Sequence, residues 1–445
     1  MRTLEDYLKA NSESIPDKIA IICGDFRITY RELWNRTLKR SQEFSTYSSD
    51  IVVLRVSQSI DFLVDYFAVH WACKVVVPLE KDIPEESYFK IQNELKDFAV
   101  PENVADILYT TGTTGKQKGT MLSHRAIIAN AENLIYAQAF SSETAFIISG
   151  PLNHIGSLSK VWPTIILGGS IIITEGVKNM SEFFSALDYP YEKMATFLVP
   201  ASIRMLLQFG ESQLKSYAYK IDFIETGAAP IANDDMAKLC ELLPNTRLYN
   251  TYASTETGII CTHNYNSNYC VAGCLGRPMK HSKLFISEEG TIVCSGETLM
   301  TGYANDEELT RKVLHDDCVY TNDKGFIDSE GRLQLSGRND DIINVGGYKV
   351  NPIEIENVAL SFPDILDCIC IADKHPVLGV VLRLLVVIQK PKSLDKKQLA
   401  QILKDKLEGY KVPQLYTQVE SIKRTYNGKL DRKHYRDLKD TQDGI

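Results

Sequence analysis

The stretch Tyr109–Gly119 reads YTTGTTGKQKG, with four threonines, three glycines and two lysines in eleven residues. Two uses suit such a composition. One is a polar surface linker. The other is a turn in which glycines 112, 115 and 119 allow close backbone approach and successive N–H groups form an anion-binding concavity. Thr110, Thr111, Thr113 and Thr114 would add hydroxyl donors, and Lys116 and Lys118 positive charge. The context argues for the turn: VADILY just before it has the pattern of a buried strand, and an amphipathic helix follows. The Walker A spacing is absent. Cys261, His263, Cys270 and Cys274 also lie close together, but they contain no C-x-x-C pair. They read as strand or loop cysteines rather than zinc ligands.

Elements must position such a loop. Short apolar runs (KIAIIC, IVVLRV, AFIIS, SIIIT, DFIET) alternate with helical stretches, the signature of α/β architecture. A helix is expected over Ile127–Ala139, with Ile127, Ile128, Ala131, Leu134, Ile135 and Ala139 on one face and Ser123 as its cap. From about 265 to 340 frequent glycines and the turns NDKG and SEGR point to a β-rich subdomain. Beyond 340 the chain is long enough for a separate α+β unit. Its helix carries Leu399, Ile402, Leu403 and Leu407 on one face, with Ser393 as the expected cap. Its strands are ILDCICIA, RLLVVIQ and YTQVESI.

Composition narrows the class. A chain of 445 residues exceeds one ordinary core, and 44% hydrophobic with 24% charged residues fits a globular protein of enzyme size. A net charge of −8 gives no sign of a nucleic-acid partner. No apolar run is long enough to span a bilayer, MRTLEDYLKA has no secretory h-region, and ten scattered cysteines read as reduced thiols. The expectation is a cytoplasmic protein without an integral membrane segment.

The glycine-threonine stretch resembles the phosphate loop Y-T-S-G-T-T-G-x-P-K-G of the adenylate-forming enzymes, which include acyl- and aryl-CoA ligases, luciferases and adenylation domains. Thr111 stands for the serine and Gln117 for the proline. Further motifs follow in family order: PLNHIGSLS (151–159), TGAAPI (226–231), YASTETG (252–258), GRPM (276–279), YTNDKG (320–325), GRNDDIINVGGYKVNPIEIE (337–356) and KRTYNGKLDR (423–432). Ala253 and Asn322 replace family glycines, and Lys423 a proline. The resemblance covers nearly the whole chain. It implies an α/β fold, with a large N-terminal domain (1–339) of α/β subdomains plus a β-rich subdomain, and a small mobile α+β C-terminal domain (340–445).

The implied reaction has two halves. A carboxylate attacks the α-phosphorus of ATP to give acyl-AMP and pyrophosphate, and the thiol of CoA then takes the acyl group. The resemblance places ATP on Thr110, Thr111, Gly112, Thr113, Thr114, Gly115 and Lys118, on Gly227, Ala228 and Ala229, and on Tyr252 and Thr255. Asp323 and Arg338 would hold the ribose. Glu256 would ligate Mg²⁺, a cation that takes few carboxylates beside phosphate oxygens. Lys429 would bridge the carboxylate and the α-phosphate, Asp340 would be the hinge, and Gly346 and Gly347 would line the pantetheine channel.

Amino-acid-activating relatives carry a Phe-Asp pair where Asn153 and His154 stand here. Without that carboxylate an α-ammonium would be buried unpaired, at a cost of several kcal/mol. The expected substrate is therefore a fatty, aryl or other acyl carboxylate, with fatty-acid metabolism as the expected setting and His154 gating the acyl channel. The region before the loop is short for the family, as if a strand–helix unit near 80–100 were missing. An acyl-carrier protein in place of CoA, and a degenerate non-catalytic nucleotide-binding protein, are the alternatives.

Overall fold

The computed structural model describes residues 2–111, 117–267, 273–338, 341–345, 348–375, 379–425 and 430–437. Its largest sheet is a mixed one of fourteen strands. The parallel centre runs, in spatial order, Arg247–Ser254, Ile221–Thr226, Lys193–Leu198, Thr144–Ile148, Ser170–Ile173 and Ile19–Cys23. Side chains alternate along these strands, as the pleat requires. Phe146, Ile148, Ile171, Ile173, Ala195 and Phe223 face one core, and Ala145, Ile147, Ile172, Met194 and Ile224 face another.

The first core lies between this sheet and a second, five-stranded sheet built around Ile51–Arg55, Val75–Leu79, Val104–Thr111 and Gln117–Ser123. Helices Tyr30–Ser45, Ile60–Trp71, His124–Gln138 and Ile155–Leu167 contribute to it. Helices Met180–Asp188, Pro200–Phe209 and Asn233–Leu242 cover the other face of the large sheet. Helix Glu85–Leu95 fills the stretch near 80–100 and packs beneath the second sheet. The β-rich region supplies strands 274–278, 282–286, 291–296, 318–327 and 333–338, which extend the large sheet.

The carboxy-terminal unit has its own core, from Ile343 to Val412. Strands Ile365–His375, Gly379–Ile388 and Leu415–Gln418 form its sheet, and the last stops well short of the expected YTQVESI. Asp395, not Ser393, caps helix Lys396–Lys406. Its carboxylate accepts the N–H groups of Lys397 and Gln398 at 3.0 Å, a stronger acceptor sitting directly before the first helical residue. Ser123 caps helix His124–Gln138 as expected, and Ala139 ends that helix in the left-handed region at φ 50° rather than extending its apolar face. Among the described residues no helix is long and apolar enough to cross a membrane.

One buried polar chain crosses the first core. His70 donates from Nδ1 to Glu5 and from Nε2 to Asp106, both at 2.9 Å. Tyr66 also donates to Asp106 at 3.0 Å, and Trp162 Nε1 to Tyr66 at 3.1 Å. Burial alone pushes the imidazole down, but the two carboxylates outweigh it and hold His70 up at about 10. The histidine binds its proton more tightly folded than unfolded. Its stabilisation is therefore complete below about 6.5 and is lost as pH rises through about 10. The thermal midpoint is expected to fall across that window, and in His70→Gln to start lower and vary less with pH. A parent midpoint that is flat from pH 6.5 to 10 would count against the network.

Candidate active site

Strands Val104–Thr111 and Gln117–Ser123 pair antiparallel, with Thr110 opposite Lys118 and Thr111 opposite Gln117. The hairpin tip with Gly112, Thr113, Thr114, Gly115 and Lys116 lies outside the described residues, as does the side chain of Thr111. At its base Gly119 has no room for a side chain, since an added Cβ would meet Ile107 Cγ2 at 2.8 Å. The short strand Gly302–Tyr303 lies along the hairpin, with Gly302 opposite Met121 and Tyr303 opposite Thr120. The same segment holds the turn at 256. The N–H groups of Ala304 and Thr301 donate to Gly119 O and Met121 O at 2.8 Å, and Met300 N–H to Glu256 O at 2.9 Å.

Side chains complete the clamp. Tyr303 Oη donates to Glu256 Oε1 at 2.9 Å, and the Lys118 ammonium stands 5.5 Å from the Tyr303 ring centroid. Burial and the adjacent carboxylate push the Tyr303 phenol far up, so it stays a neutral donor. Glu256 is half-buried, and among the described residues its second carboxylate oxygen has no hydrogen-bond partner. One tyrosine at the base of the hairpin thus has a carboxylate on its hydroxyl and a lysine near its ring.

Glu256 sits in a tied turn with Thr255, which is 8% exposed. Ser254 and Thr257 exchange hydrogen bonds, Thr257 N–H donating to Ser254 Oγ at 3.0 Å and Ser254 N–H to Thr257 Oγ1 at 3.1 Å. Asn130 Oδ1 accepts Ile259 N–H at 2.7 Å. Gly258, at φ 69°, lies against the same asparagine, and a Cβ there would fall 2.5 Å from its Oδ1.

Gly227, Ala228 and Ala229 follow the carboxyl end of strand Ile221–Thr226. Gly227 is buried against Thr251 O, and Ala228 takes φ 67°, a left-handed conformation rare for a residue with a Cβ. Tyr252 ends up beside Asp323. Its Oη donates to Asp323 Oδ2 at 2.8 Å, and burial pushes its phenol well up. Asp323 is opposite Arg338 across strands 318–327 and 333–338; the Arg338 side chain lies outside the described residues.

His154 is the N-cap of helix Ile155–Leu167, just beyond strand Thr144–Ile148, with buried Asn153 before it. Gly227–Ala229, Glu256 and His154 follow the carboxyl ends of parallel strands. From Thr144–Ile148 the chain goes first to one neighbour, Ser170–Ile173, and then to the other, Lys193–Leu198. Ligands of open α/β sheets sit in the crevice at such a switch point.

Lys429, Asp340, Gly346 and Gly347 lie outside the described residues. Their flanks are described. Arg424 Nη2 donates to both carboxylate oxygens of Asp367 at 2.8 Å. Arg432 reaches Glu356 at 2.8 and 2.6 Å and Asp341 at 3.5 Å. The segment bearing Lys429 is thus anchored on both sides, and on one side to the residue after the expected hinge. Sequence reasoning missed Tyr303, Asn130, Arg432 and Glu356. The last two stood inside family motifs, while Gly302–Tyr303 lay in none of them.

The AMP-binding enzyme family model matches residues 84–304, and the model of the AMP-binding enzyme C-terminal domain matches 354–429. The chain belongs to this family of adenylate-forming enzymes. A 2-succinylbenzoate–CoA ligase of Bacillus cereus strain AH820 is 25% identical over 500 aligned residues, covering 98% of this chain and 99% of that protein. Two solved structures share the fold. The anthranilate CoA ligase AuaEII with anthranoyl-AMP has a TM-score of 0.88 at 16% identity, covering 98% of this chain and 97% of that one. The Bacillus subtilis o-succinylbenzoate coenzyme A synthetase MenE, with ATP and a magnesium ion, has a TM-score of 0.81 at 21% identity, covering 97% and 99%.

Proposed function

We propose that this protein is an AMP-forming carboxylic acid–CoA ligase, using ATP and Mg²⁺ to make an acyl adenylate and passing the acyl group to CoA. The observation that carries the reading is that Tyr303, at the base of the Thr/Gly hairpin, bonds Glu256 through its hydroxyl and has the Lys118 ammonium 5.5 Å from its ring centroid. Sequence-distant motifs of the family converge there on one spot suited to a triphosphate. The spare Glu256 oxygen is a hard donor of the type magnesium takes alongside phosphate oxygens. When bound, Mg²⁺ supplies neutralisation of phosphate charge. Lys118 and the hairpin hydroxyls and N–H groups bind the phosphates, and Tyr303 aims the carboxylate. Gly227–Ala229 and Tyr252 line the base, Asp323 and Arg338 hold the ribose, and Thr255 stands at the α-phosphate.

In this reading residues 1–339 form the nucleotide- and acid-binding domain. Residues 340–445 swing about Asp340, first bringing in Lys429 and then presenting Gly346 and Gly347 to the pantetheine arm. His154 gates the acid. The relatives make aryl acids the class to test first, and Asn153 beside His154 offers no carboxylate for an α-ammonium. A panel of carboxylic acids scored by pyrophosphate release, with CoA or with a phosphopantetheinylated carrier protein as acceptor, tests the reading. Acid-dependent release with thioester formed on free CoA is the expected outcome. Thioester on the carrier alone would replace CoA as the acceptor, and no acid-dependent release with any acid would sink the ligase.

A further inference from the structure

We propose that the acid activated here carries a hydroxyl group remote from its reacting carboxylate, held by the buried pair Lys160–Glu225. The inference rests on the ligase reading and narrows its substrate class.

Lys160 and Glu225 are each 1% exposed and joined by a single bond of 2.8 Å. Both belong to elements that frame the expected acid site. Glu225 is two residues before Gly227, at the carboxyl end of its strand, and Lys160 lies on the helix that begins after His154. The Phe197 ring connects them to the crevice. Its centroid is 5.3 Å from Lys160 Nζ, and an added Cβ on Gly156 or Gly227 would meet that ring at 3.1 or 3.6 Å. The Phe197 ring therefore lies between the pair and two glycines, Gly227 just past its strand and Gly156 in the first turn of the helix after His154.

The pair is incompletely satisfied. Glu225 Oε2 is buried with no hydrogen-bond partner among the described residues. Among those residues the ammonium of Lys160, with three donors, has only Glu225 as a hydrogen-bond partner. Burial depresses the Lys160 ammonium, a sign of how poorly it is solvated. A buried ion pair offsets its desolvation only when its remaining lone pairs and protons are also bonded. Native proteins leave few such groups bare, and a bare one asks for a reason.

The spare valences define the ligand. One acceptor and a free N–H lie side by side, and the pair's net charge is zero. A hydroxyl answers both, donating to Oε2 and accepting from Nζ. A second carboxylate would face Glu225, and an ammonium would face Lys160. A plain hydrocarbon would leave both atoms unpaired. Because Lys160 neutralises Glu225, this carboxylate does not restore a site for an α-amino acid.

The test compares matched acids differing only in that hydroxyl, hydroxybenzoates against benzoates and hydroxyalkanoates against alkanoates, by kcat/KM for acid-dependent ATP–pyrophosphate exchange. Sites built to bond a hydroxyl reject the analogue lacking it strongly, so a preference of about 100-fold or more is expected for at least one pair. In Lys160→Met/Glu225→Leu the preference should shrink to about threefold while the plain acid gains, because apolar replacement of a buried pair is usually tolerated. Thermal melting and ATP binding report whether that variant folds; if it does not, Lys160→Met/Glu225→Met, closer in length to the native pair and likewise uncharged, is read the same way. A parent indifferent to the hydroxyl overturns the proposal, as does a folded variant that loses both acids equally. Absence of exchange with every acid overturns the ligase reading, and this proposal with it.

Discussion

Glu256→Gln is expected to lower acid-dependent ATP–pyrophosphate exchange about 100- to 1,000-fold, the usual loss when a group that stabilises developing charge is removed. The melting temperature should hardly move. Tyr303 O–H can donate to the glutamine carbonyl as it does to Glu256 Oε1, and the backbone bond from Met300 N–H is untouched. What disappears is the charge, and with it the oxygen that has no hydrogen-bond partner among the described residues. The residual activity should also need more magnesium, which a titration at fixed ATP would detect. Tyr303→Phe is the control. It keeps the charge and loses the aim, so a loss of about tenfold is expected, in line with the effect of removing a group that orients a metal ligand. Full activity in Glu256→Gln would remove this carboxylate from the site.

Much of this was legible in sequence, and the reasons are physical. Strand and helix types could be read because apolar residues recur with the periods of the elements they form. Phe146 and Ile148 face one core and Ala145 and Ile147 the other, so AFIIS had to be a strand buried on both sides. The threonine–glycine stretch stood out by its composition, whereas Thr255 and Glu256 were visible only through the resemblance of YASTETG to a family motif. The clamp was not. Tyr303 reaches Glu256 only because Gly302–Tyr303 pairs with a strand nearly two hundred positions earlier, and nothing local announces that register. The same holds for Lys160 and Glu225, which are ordinary residues until the helix lays one against the other. The displaced cap is a different failure. Ser393 and Asp395 are both good cap residues, and choosing between them requires the helix start, which apolar spacing locates only to within a turn.

Lys429→Ala is expected to abolish acid-dependent exchange, by about 1,000-fold, while leaving thioester formation from supplied acyl adenylate close to normal. Two opposite charges about 4 Å apart gain about 1 kcal/mol in water but about 4 kcal/mol at an effective dielectric near 20. Only the second value approaches a thousandfold, so the lysine matters in a closed site and not in an open one. Closure must therefore place it accurately, which gives the two arginine–carboxylate pairs a task. Arg424 on Asp367 and Arg432 on Glu356 hold the flanks of its segment to the carboxy-terminal core, and Asp341 adds a contact beside the expected hinge. Arg432→Gln should then reproduce the signature of the lysine variant in milder form, slowing adenylation more than thioesterification and lowering kcat with little change in KM for ATP. Arg432→Lys, which keeps the charge but not the fork, should recover only part of it. Equal loss of both half-reactions in Arg432→Gln would make the arginine a prop for the domain alone, and equal loss in Lys429→Ala would take that lysine out of the adenylation step.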